Sequence, residues 1–134
     1  MRTAVILLML GPGLAAAADG CGAALGAGAA RAESEHYAIV YRTVPDPVAV
    51  GRPFALDAVV CPKSGSVPLT GLRVDAQMPA HRHGMNYRPT VTAEGAGRYR
   101  AEGLLFHMPG QWQFVFDFDA PGVHERATRD FAVE

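Results

Sequence analysis

Trp112-Gln113-Phe114-Val115-Phe116-Asp117-Phe118 places a large aromatic side chain at every second position, answered by Gln111, Gln113 and Asp117. A period of two belongs to a strand with one buried face, because alternate side chains along a strand share a side. The same period recurs upstream. Tyr37, Ile39 and Tyr41 alternate first, then Phe54, Leu56, Ala58 and Val60, then Leu72, Val74, Ala76 and Met78 against Arg73, Asp75 and Gln77. Shorter strands are expected near Pro89–Ala93 and over Arg98–Phe106, and a last one near Glu125–Val133. Between them stand turn signals: Pro45-Asp46-Pro47, Pro62-Lys63-Ser64-Gly65, Glu94-Gly95-Ala96-Gly97 and Ala120-Pro121-Gly122. Met108-Pro109-Gly110-Gln111 reads as a type II turn, with Pro and Gly at the two central positions. About seven short strands and no helix point to an all-β fold, an immunoglobulin-like antiparallel sandwich over residues 36–134. A small Greek-key barrel is the alternative.

The composition narrows the function. The chain has 134 residues, 49 % hydrophobic and 19 % charged, within the range of one ordinary globular domain. Twelve Lys+Arg against thirteen Asp+Glu leave a net charge of −1, which argues against a basic nucleic-acid or anionic-lipid surface. No GxSxG occurs and the carboxylates are scattered along outward strand positions, so no enzyme activity is expected.

The first residues read as an address. Arg2 precedes the apolar run Ala4–Leu10, Gly11-Pro12-Gly13 breaks it, and Ala15-Ala16-Ala17-Ala18 supplies small residues for cleavage. Residues 1–18 are therefore expected to be a signal peptide, with a membrane anchor as the alternative that so short a run disfavours. Residues 19–35, rich in Gly and Ala, read as a flexible or weakly helical tail. Export to an oxidising compartment favours a Cys21–Cys61 disulfide between the only two cysteines. Lipidation of Cys21 with a free Cys61, or thiolate ligation of a metal, are the other readings.

Two stretches stand apart from the strand pattern. Met78-Pro79-Ala80-His81-Arg82-His83-Gly84-Met85-Asn86-Tyr87 follows the third alternating run, and His107-Met108 adjoins the Pro-Gly turn. His81, His83 and Met85 are two apart and can face one side of an extended segment, and Gly84 permits the bend that folds Met85 back. If successive strands alternate in direction, both stretches lie at the same end of the sandwich and Cys61 at the other. Imidazole with thioether is a soft donor set suited to Cu(I), and imidazole alone serves Cu(II). Zinc, iron and manganese sites would call for carboxylate, thiolate or more oxygen, and neither stretch holds an acidic residue. The expected ligands are His83, Met85 and His107, completed by His81 and Met108. Met78 continues an apolar strand face and reads as core, Met108 reads equally as a packing cap, and His36 and His124 read as solvated.

These residues resemble the YtkA-like family, related to FixH-like domains. The likeness lies in the Met-Pro-x-His-x-His-Gly-Met loop, Gly97-Arg98-Tyr99 and Leu105-Phe106-His107-Met108-Pro109-Gly110-Gln111-Trp112. It implies an immunoglobulin-like fold in the periplasm or on the cell exterior, and a part in copper supply to a recipient cuproprotein such as a respiratory oxidase. A partial similarity to periplasmic copper chaperones of the PCuAC type lies in the 21 residues between Met85 and His107, although Val74 stands where that pattern has its first histidine. The expected function is an exported copper carrier or chaperone. The alternative is a metal-free sandwich that binds a partner protein through the HxHGM loop.

Overall fold

The computed structural model describes residues 20–134; the expected signal peptide lies outside them. A 3-10 turn at Ala23–Leu25 precedes β1 (Ala30–Glu33), β2 (Tyr37–Val44), β3 (Phe54–Pro62), β4 (Gly71–Met78), β5 (His83–Gly84), β6 (Thr90–Gly95), β7 (Arg98–Leu104), β8 (Gly110–Ala120) and β9 (Val123–Val133). One sheet has the order β1-β2-β3-β7-β6 and the other β5-β4-β8-β9. Every pairing is antiparallel. The fold is an all-β sandwich.

The alternation in the sequence becomes the core. Phe114, Phe116 and Phe118 of β8 point at Tyr37, Ile39 and Tyr41 of β2, and all six are buried. The rings interlock across the two sheets: Tyr41 lies 4.9 Å from Phe116 and Tyr37 lies 5.3 Å from Phe118, centroid to centroid. Each such side chain contributes about 1.5–3 kcal/mol by leaving water. The Tyr41 hydroxyl is buried without a protein partner, and burial pushes its phenol up to about 12.

The outward positions carry the charges, which pair locally. Asp57 binds Arg42 and Arg100, Asp117 binds Arg126, and Asp119 binds Arg73 and His124.

Three local expectations differ from the structure. Residues 22–34 do not form a loose tail, since they include the 3-10 turn and β1, which pairs with β2 from Ala30↔Tyr41 to Glu33↔Ala38. Only Ala32 of β1 is buried, so no apolar period marks this strand; the open backbone edge of β2 recruits it. Gly22 holds the preceding turn tight: its φ is +83° and a Cβ there would lie 2.6 Å from Val40 Cβ. The expected type II turn is also absent. Gly110 has φ +133° and opens β8, and the Met108 carbonyl accepts from the Trp112 indole N–H at 3.0 Å.

The third difference is β5, two residues that extend β4 into a hairpin. It positions the first of the two histidine-bearing loops.

The Cys21–Cys61 disulfide is present, with Cα atoms 5.9 Å apart and no free cysteine among the described residues. Cys61 sits at the end of β3 remote from Phe54, and Phe54 pairs with Leu104 just before the His107 segment. The staple therefore lies at the end of the sandwich opposite His81, His83 and His107.

Candidate metal centre

The β4–β5 hairpin places His83 directly opposite Met78 in register. Opposed residues of an antiparallel pair share a face, so His83 lies on the side of the buried Met78. The connection is closed by the His81 N–H donating to the Met78 carbonyl at 3.1 Å and the Arg82 N–H donating to Pro79 at 3.4 Å. Arg82 adopts φ 54°, a left-handed conformation uncommon for a side chain of its size. His81 is exposed at the tip, its ring 5.6 Å from that of His83.

The second loop follows β7. Leu104 and Phe106 are both fully buried, and their alternation turns His107 outward. The Phe106 carbonyl accepts the Gly51 N–H at 2.8 Å, which ties this backbone to the loop before β3. The two loops meet: the His107 and His83 rings are 5.3 Å apart. Trp112, at 1 % exposure, lies beside both, 5.9 Å from His83 and 5.4 Å from His107, with its plane nearly perpendicular to each.

The five expected ligands are thus unequally placed. His81, His83 and His107 form a row at one end of the sandwich. Met85 and Met108 are half-buried against the core margin. Met85 lines a shallow groove with Leu72, Val74, Tyr87 and Val91. Met78 is 2 % exposed and is core, as its strand phase implies. Trp112 is the neighbour that sequence reasoning passed over; among four alternating aromatics it alone carries an N–H.

The electrostatics of the row are simple. Among the described residues no carboxylate lies within 4.0 Å of these three imidazoles; the histidine–carboxylate contacts belong to His36 and His124. The Gly84 carbonyl, which only accepts, lies 3.2 Å from His83 Nδ1, so in that contact Nδ1 donates and Nε2 keeps a lone pair. Imidazoles suit copper and thioethers suit Cu(I) in particular; Met108 adjoins His107 in the chain, whereas Met85, expected at the centre, lines a groove in which none of these three histidines takes part.

His36 is not a solvated histidine. Its Nδ1 lies 2.5 Å from Glu125 Oε1, while Glu125 Oε2 accepts from the Ser34 hydroxyl at 2.6 Å and the His36 backbone N–H at 2.9 Å. His124 is exposed, as expected, with its Nδ1 2.7 Å from Asp119 Oδ1. Glu35, His36 and Glu125 bring their potential ligand atoms within 4.8 Å of one another, at the disulfide end.

This clamp joins the β1–β2 connection to β9. Burial alone would raise the Glu125 carboxyl, but the His36 backbone N–H, the Ser34 hydroxyl and the His36 ring outweigh it and hold the group at about 2. The hydrogen bond to Glu125 raises His36 above the usual imidazole value of 6.5. A lowered carboxyl stabilises above its unfolded value near 4.5 and that contribution fades as pH falls toward 2. A raised imidazole stabilises below 6.5, and its contribution fades as pH climbs through the raised value. The clamp should therefore be strongest between these limits. Urea unfolding from pH ~2 to ~9 should show Glu125→Gln losing stability mainly inside that window; parallel wild-type and variant curves would refute the assignment.

Residues 31–116 match the family model described as YtkA-like. No curated protein and no solved structure matches the chain. The matched region runs from β1 into β8 and takes in both histidine-bearing loops, the disulfide's Cys61 and most of both sheets. With more than half of its length inside that match, the chain belongs to the YtkA-like family.

Proposed function

We propose that the protein is an exported copper carrier or chaperone, holding its ion at one end of the sandwich. The observation that carries this reading is the 5.3 Å approach of His83, in the β4–β5 hairpin, and His107, in the β7–β8 connection between the two sheets, with His81 next in the row. His83 and His107 are the central ligands, His81 completes the site for Cu(II), and Met85 and Met108 supply thioethers to Cu(I). Ligands drawn from loops, some of them exposed, suit an ion that must be handed on. The recipient is a cuproprotein, a respiratory oxidase being the example that the family resemblance implies. The disulfide supports residence in an oxidising compartment such as the periplasm, because cytosolic thiols are kept reduced.

The similarity to PCuAC-type chaperones extends to ligand type. Val74 is buried on the core face of β4, so His81 and His83 take the place of that pattern's first histidine. A second reading, a metal-free module that docks a protein partner, draws on Tyr87, which is 53 % exposed beside the HxHGM loop.

Metal analysis of protein purified without a histidine tag separates the two. The carrier reading expects one copper per chain, with Met85→Ala weakening Cu(I) at least about tenfold more than Cu(II), and His83→Ala weakening both. Protein that binds neither oxidation state would overturn it.

A further inference from the structure

We propose that Trp112 is a positioning residue of this centre, presenting Met108 to a soft monovalent ion held by His83 and His107. The inference rests on the copper reading above. Positions 114, 116 and 118 of the same strand face are filled by phenylalanine, and position 112 alone by an indole, which packs on Phe106 with ring centroids 4.6 Å apart. What phenyl lacks is a donor. The Trp112 indole N–H is bonded to the Met108 carbonyl at 3.0 Å, and a buried indole seeks such a partner.

The two residues of the His107-Met108 pair are held by different anchors. His107 follows Phe106, which is fully buried and whose carbonyl takes the Gly51 N–H. Met108 is held through its carbonyl by Trp112. Beyond it the backbone is pressed onto the core, since a Cβ at Gly110 would lie 2.8 Å from Met78 Cε. The segment is thus fixed at both ends, with the indole bond at its centre. Loss of that bond should free the Met108 backbone, while His83 and His107, whose rings also border the indole, keep their own anchors in the β4–β5 pairing and the Phe106 carbonyl. Thioether binds Cu(I) far better than Cu(II), so the defect should divide by oxidation state.

The test uses the full exported chain and two probes. Trp112→Phe should bind Cu(I) roughly tenfold more weakly, the scale seen when a residue orienting a metal ligand is lost, while Cu(II) affinity changes by less than about twofold. A merely structural defect would weaken both equally or neither, and either result overturns the proposal. Because the chain holds one tryptophan, its indole N–H gives a single NMR resonance in the wild type. That resonance should shift on adding Ag(I), a diamagnetic soft ion, and stop shifting at one equivalent. If Ag(I) binds and the resonance stays in place, the proposal fails and the copper reading survives. Should the wild type bind neither copper nor silver, both fall together.

Discussion

The double variant His83→Ala/His107→Ala should fold normally and lose affinity for both Cu(I) and Cu(II) by about 100-fold or more. Loss of a residue that only supports a ligand already costs up to about that much, and here the ligands themselves are removed. Neither ring is buried, and His107 is exposed, so each truncation should cost stability within about 0.5 kcal/mol. Isothermal titration or competition with a chelator reads the affinity, and a melting curve checks the fold. His36→Ala provides the contrast, because its partners lie at the disulfide end and it should leave copper binding unchanged while weakening the clamp to Glu125. If the double variant binds copper as the wild type does, the ion resides elsewhere. The Glu35–His36–Glu125 group would then be the place to look.

Replacing Cys21 and Cys61 with serine should lower stability by about 2–4 kcal/mol, from the entropy returned to an unfolded chain that the bridge had closed into a loop spanning 40 positions. For a domain of this size that is a large share of the total. The folded state should suffer locally as well, since the bridge holds the 3-10 turn whose Gly22 packs on Val40. Copper affinity should stay constant. Along β3, Cys61 is seven positions from Phe54, roughly 23 Å at ~3.3 Å per residue, and His83 and His107 lie beyond the Phe54 end. Denaturant unfolding with and without reductant, alongside a copper titration, gives both quantities. A collapse of copper affinity would mean that the cysteines, rather than the loops, govern the site.

The strands that build the core were legible because each buries several alternate residues, so that period and burial coincide; β8, with four aromatics, is the clearest. β1 was not, because it buries Ala32 alone and owes its existence to the edge of β2, which a local window does not contain. β5 is two residues long and has no period to read. The Pro-Gly pair before β8 carried the signature of a turn, but the indole of Trp112 takes the carbonyl that a turn would have used. The convergence of the HxH loop and His107 followed from strand direction alone, and the ring distances agree with it. The clamp on His36 had no such handle. Its partner Glu125 is 89 positions away, and nothing in either neighbourhood announces the other.

The protein has a single lysine, Lys63, whose ammonium bridges Glu33 Oε2 at 3.0 Å and the Ser34 carbonyl at 2.6 Å. It stands just past Cys61, at the foot of the sandwich. Lys63 is therefore the one side-chain amine open to amine-reactive linkers, and attachment through it would hold the molecule to a sensor chip or bead by this foot and leave the histidine row facing the solution. If the end bearing the row carries copper as proposed, arrays of molecules held by this foot would present it to a flowing partner, and metal transfer would become a surface measurement.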